Sequence, residues 1–133
     1  LKKKKKIFLT IVVVAIIFGG LYATTYIPKK LISINPSEVS KLEIFDGNQG
    51  KALTVSDGEH IKHIITNLNG ITFSKGKSSL GYLGYRFRMT IYDEDGDEQK
   101  VLIINSNDKV RYKGFFYTDP TKRIDIDYID SLF

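Results

Sequence analysis

The longest feature in the hydrophobic pattern is an uncharged run. Residues 7–28 hold 22 positions without a charged side chain, entered from five lysines at 2–6 and left through Lys29 and Lys30. Taken as helix over residues 7–27, its 21 positions at about 1.5 Å each reach roughly 31 Å, matching a hydrocarbon core of about 30 Å. Val12, Val13, Val14, Ile16 and Ile17 are β-branched, a poor choice for a free helix in water. Lipid forces the backbone to bond internally and so tolerates them. Tyr22 and Tyr26 fall where amphipathic rings favour the membrane interface. Five lysines before the span and two after it place the N-terminus in the cytoplasm and the rest of the chain outside. The competing reading is a cleaved signal peptide with an apolar core over residues 7–18, which would leave the domain secreted. It fits less well, because Leu21 stands two residues before Ala23 and the alternative cut leaves Thr at the site. A buried core helix fits least. The chain begins on Leu1, read as a clipped start or a literal translation of a non-ATG codon.

Beyond the run the apolar positions repeat on shorter periods. "IPKKLISINPSE" reads as a stalk, because Pro28 and Pro36 block regular helix. "KLEIFDGNQGKALTV" predicts a hairpin turning at residues 46–50. In "SDGEHIKHIITNLNG", Ser56 and Glu59 suggest a capping box. There Ile61, Ile64, Ile65 and Leu68 form one helical stripe, and Gly70 is a plausible stop. "ITFSK" predicts a short strand, "GKSSLG" a loop, and "YLGYRFRMTIYD" an alternating strand. On that strand Leu83, Tyr85, Phe87, Met89 and Ile91 face one way, while Tyr82, Arg86, Arg88, Thr90 and Tyr92 face the other. "DEDGDE" turns the chain into "QKVLIIN", "SNDK" turns it into "VRYKGFFYT", and "DPTKRIDIDYIDSLF" suits a short closing helix on a partial stripe of Ile126, Ile129 and Leu132 or Phe133, with strand the alternative for its early "RIDID". The order β-β-α-β-β-β-β-α implies an α+β fold, a mostly antiparallel sheet packed against one main helix. The division is residues 1–30 for the lysine cluster, anchor and start of the stalk, and 31–133 for an extracytoplasmic domain.

Charge changes the picture once it is located. The net +5 and basic pI of about 9.3 invite nucleic acid as a partner. Residues 31–133, however, hold 13 Lys and Arg against all 15 Asp and Glu, a net of −2. No basic domain remains to neutralise phosphates, and nucleic acid is excluded as the expected partner. The absence of cysteine removes disulfides, a thiol nucleophile, cysteine-ligated zinc and a lipidated cysteine.

Candidate chemistry is sparse. "GITFSKGKS" has five residues between Gly70 and Gly76 where a phosphate loop needs four. His60 and His63 lie at i, i+3, but Glu59 precedes the first histidine instead of following it. Both point to the polar side and read as solvated. "DEDGDE" places its glycine fourth, where a tight turn wants positive φ, not sixth as in a calcium loop. It reads as an acidic turn, with weak calcium binding the alternative. Ser78 and Ser79 lie in a loop without a nucleophile elbow. No catalytic residue, cofactor or metal ligand is assigned.

The one pattern with binding chemistry is a face. Arg86 and Arg88 alternate away from the core side of one strand, and Lys109, Arg111 and Lys113 do so two strands later. Tyr82, Tyr92, Phe115 and Tyr117 share those parities, with Gly114 as a candidate bulge. Such a cationic, aromatic-edged surface suits an anionic envelope polymer, a lipid headgroup or an acidic protein.

"VSKLEIFDGNQGKALTV", "IKHIITNLNGITFSKGKSSLGYLGYRFRMTIYD", "INSNDKVRYKGFFYT" and "IDYIDSLF" together resemble small uncharacterised exported domains of Gram-positive bacteria, membrane-anchored or of lipoprotein type. The resemblance spans most of residues 38–133 and brings no activity or functional residue with it. The resulting expectation is a membrane-anchored, non-enzymatic binding module. An inhibitor or immunity protein of an envelope enzyme is the alternative, and an envelope hydrolase comes after that.

Overall fold

The uncharged run and the lysines before it form one continuous helix, α1 (Lys2–Thr24), none of whose residues is buried against the rest of the chain. By length and composition it is able to cross a membrane or to serve as a signal sequence. The computed structural model describes residues 2–133, so the question raised by Leu1 lies outside the described residues.

The expected stalk is not a stalk. Leu31, Ile32 and Ile34 are buried in the main core. Lys29 exchanges two backbone hydrogen bonds with Phe73, at 2.9 and 2.8 Å. The Asn69 side chain brackets Ile34, accepting from its N–H at 3.0 Å and donating to its carbonyl at 2.7 Å. Pro28 keeps the chain out of helix and Pro36 opens only a single 3-10 turn (Pro36–Glu38), but the extended segment between them buries its three large apolar side chains as a strand would. The chain therefore enters the domain within five residues of the end of α1.

Seven strands follow: β1 (Val39–Asp46), β2 (Lys51–Val55), β3 (Ser74–Ser78), β4 (Phe87–Asp93), β5 (Glu98–Ile104), β6 (Lys109–Tyr112) and β7 (Phe115–Thr118). They make one antiparallel sheet in the order β2-β1-β4-β5-β6-β7-β3. Helices α2 (Gly58–Asn69) and α3 (Ile126–Ser131) share the core on one side of it, where Ile61, Ile64, Ile65, Leu68 and Ile129 meet Leu42, Ile44, Met89, Ile91, Leu102 and Ile104. The fold is α+β, as the periodicity implies.

Four details depart from the sequence reading. The N-cap of α2 is Asp57, whose carboxylate accepts the N–H groups of Glu59 and His60; Ser56 lies outside it. The third strand starts at Ser74 and runs through "GKS", which the sequence suggests is loop. The fourth starts only at Phe87, because β3 and β4 lie four places apart in the sheet and residues 79–86 must cross between them. Finally, "VRYKGFFYT" is two strands, not one. Lys113 and Gly114, at φ 47° and 83°, form a two-residue turn with Tyr112 opposite Phe115. The acidic turn conforms to expectation, with Gly96 at φ 82°.

Candidate binding surface

Register decides which side chains face away from α2. Thr54 and Ala52 of β2, Glu43 and Phe45 of β1, Arg88 and Thr90 of β4, Val101 and Ile103 of β5, Arg111 of β6 and Phe116 of β7 are cross-strand neighbours on that outer side. The crossing segment, residues 79–86, lies over the β6–β7 half. Tyr82 packs edge-on to Phe116 at 5.0 Å, and the Tyr82 hydroxyl accepts from Lys77 Nζ at 2.8 Å. The β2-β1-β4 half is left open.

The arginines expected to share one face divide into three roles. Arg111 is only 7% exposed, and its guanidinium donates to the carbonyls of Tyr82 and Gly84, pinning the crossing segment. Arg86 precedes the strand and turns to the helix side. Its Nη1 donates to Asp46 at 2.8 Å and its Nη2 to Asp130 of α3 at 2.6 Å. Asp46 is fully buried. Burial alone would raise its carboxyl pKa, but Arg86 and the Asn48 and Gln49 amides outweigh that and hold it below the ordinary value.

Arg88 alone of the three projects from the open face. Among the described residues it makes no ion pair and no side-chain hydrogen bond. Its guanidinium carbon lies 5.6 Å from the Phe45 ring centre and 5.9 Å from that of Tyr85. Arg88 and Phe45, with Glu43, Ala52, Thr54 and Thr90, line a shallow hollow of about 270 Å³. A guanidinium resting on aromatic faces keeps its N–H edge free, the geometry that takes a carboxylate or phosphate bidentately.

The other expected residues scatter. Tyr92 is on the open face, donating to Glu43 Oε2 at 2.8 Å with Lys41 over its ring, and the Glu43 carboxylate raises its phenol pKa. Lys109 lies over Phe116 on the covered half. Lys113 occupies the β6–β7 turn, off either face. Tyr117 faces the helices and is buried, because the turn at residues 113–114 reverses the parity carried from β6. The alternation puts Tyr85 with Phe87 and Met89, but it precedes β4 and lies instead beside Phe45 and Arg88. Phe45, adjacent to the core-facing Ile44, belongs to the outer side by parity and is not singled out by the sequence.

The histidines are not idle on a solvated face. His60 Nδ1 lies 2.7 Å from the Tyr128 hydroxyl, His63 Nε2 lies 2.9 Å from Asp125, and the His63 ring stacks on Tyr128 at 3.5 Å. They bind α3 to α2. Asp93, Asp95 and Asp97 bring carboxylate oxygens within 4.8 Å of one another, but Asp93 Oδ1 already accepts two backbone N–H groups of its own turn. Comparison with protein-family models, curated proteins and solved structures finds no match to this chain.

Proposed function

We propose that this chain is a membrane-tethered extracytoplasmic binding module that holds an anionic partner, an envelope polymer or an acidic protein, on the open face around Arg88. The observation that carries this reading is Arg88 itself: an unpaired guanidinium over two aromatic rings, on a bare sheet face, while Arg86 and Arg111 are engaged internally. The lysine asymmetry around α1 supports the orientation.

Two measurements test it. A photo-crosslinking residue at Thr90 of the full-length chain should capture a partner in cells, and Arg88→Glu should abolish that capture; undiminished capture discards the site. Protease added to intact cells should digest the domain and spare α1, and complete protection discards the topology.

A further inference from the structure

One edge of the sheet lies against the outer end of α1. Lys75 of β3 donates to Thr25 Oγ1 at 3.1 Å and lies over the rings of Tyr22, Tyr26 and Phe115, at 5.2, 4.8 and 4.0 Å from their centres. Phe115 follows directly on the Lys113–Gly114 turn and is opposite Ser78. The Ser79 N–H donates to Gly114 at 2.8 Å, which places the start of the crossing segment beside that turn. At this same edge Leu80 projects with 82% of its surface exposed, and Leu83 of the same crossing segment with 87%, while most other large apolar side chains outside α1 are buried. Lys75, Lys77 and Lys113 make no ion pair among the described residues.

We infer that this edge is a lipid-contacting surface for anionic headgroups, with Lys77, Lys113 and Lys75 meeting lipid phosphates and Leu80 entering the interfacial layer. The inference rests on the reading of α1 as a membrane anchor. If α1 spans, Tyr22 and Tyr26 stand at the interface, where aromatic rings concentrate. Lys75, which touches both rings, then stands at headgroup depth, with Phe115 packed on it and the Lys113–Gly114 turn immediately before Phe115 in the chain. Lysines there are attracted to anionic lipid, and an exposed leucine beside them has an apolar layer to enter. The acidic turn at residues 93–97 ends the β4–β5 hairpin toward the same end of the sheet. It lies three strand steps from β3, roughly 14 Å at about 4.8 Å per step.

The lack of native cysteine makes single-cysteine labelling clean. The full-length chain carrying Leu80→Cys, labelled with an environment-sensitive fluorophore, is placed in nanodiscs of neutral phosphatidylcholine or with added phosphatidylglycerol. Asn48→Cys, in the β1–β2 turn at the opposite end of the sheet, is the reference. The expected result is a blue shift and loss of aqueous quenching for the Leu80 label in anionic discs only. Lys77→Glu with Lys113→Glu should abolish that shift, and the Asn48 label should not move. A Leu80 label as water-exposed as the Asn48 label in both discs overturns the inference, as does an equal shift in neutral discs. A shift produced by soluble polyphosphate over neutral discs, with none in anionic discs, reassigns the edge to a polymer. The anchor reading is checked separately: a chain that alkali strips from cell membranes sinks that reading, whatever the label reports.

Discussion

Ile32 offers the sharpest test of how the domain is joined to α1. It has no exposed surface and sits in the main core, next to Leu31 and two residues from Ile34. Ile32→Ala removes buried carbon atoms and leaves a cavity, a change that costs about 2–5 kcal/mol. Full burial within the central cluster argues for the middle of that range, about 3 kcal/mol. For a domain of this size that lowers the melting midpoint by about 12–24 °C. The comparison is Ser33→Ala, an exposed neighbour, expected to change stability by no more than about 0.5 kcal/mol. The assay is thermal unfolding of the full-length chain in detergent micelles, followed by near-ultraviolet circular dichroism of its 8 tyrosines. Far-ultraviolet signal is unsuitable, since α1 stays helical in a micelle after the domain has melted. Equal midpoints for Ile32→Ala and Ser33→Ala would refute the reasoning and restore the segment to a loose stalk.

Arginine substitutions should separate structure from recognition. Arg86→Met strands the buried Asp46 carboxylate and should lower the melting midpoint markedly, whereas Arg88→Met should leave it within about 4 °C, because an exposed side chain with no ion pair or hydrogen bond, only ring contacts that Met can also make, contributes little to folding. Reversal of that ranking contradicts the assignment of roles. Acid should also unfold the domain by a defined route. Burial works to raise the Asp46 and Asp119 carboxyls, but their hydrogen bonds with Arg86, with the Thr121 hydroxyl and with nearby backbone amides win, and both titrate below the ordinary 3.8. Their contribution is complete above that value and drains as pH falls through it toward the folded-state values. Urea midpoints measured from about pH 6 to about pH 2 should fall in the lower part of the range, less steeply in Asp119→Asn; identical slopes would count against these two groups.

The elements most legible in the sequence were those whose side chains obey one period throughout. Ile61, Ile64, Ile65 and Leu68 are all buried, as are Phe87, Met89 and Ile91. The failures have a common cause, which is that periodicity describes a strand but not its neighbours. "YLGYR" continues the alternation of β4 backwards, yet Leu83 is 87% exposed, since the chain there is crossing from the far edge of the sheet and has no strand beside it. Lys113 carries φ 47° without the Asn-Gly signature of its turn, so the pattern suggests one strand where two exist and puts Tyr117 on the wrong side. The same gap explains the arginines. Arg86 and Arg88 look equivalent by parity, and only the position of Asp46 and Asp130 draws Arg86 to the helices.

The short entry into the domain also limits where a partner stands. Only residues 25–28 separate α1 from the Lys29–Phe73 pairing, and Lys75 fastens the helix end to the sheet edge. A domain of about 100 residues has a radius of gyration of about 13 Å, so under the anchor reading no part of the Arg88 face stands more than about 40 Å from the headgroups. The partner must offer its acidic group within that layer. A flexible spacer of about 16 Gly and Ser residues after Tyr26 would add a root-mean-square reach of about 20–24 Å. It should reduce photo-crosslinking from Thr90 to a partner fixed at the membrane, while leaving the domain folded. Undiminished capture in the spacer variant would show a partner that follows the domain outward, and with it a soluble or wall-spanning ligand in place of a membrane-fixed one.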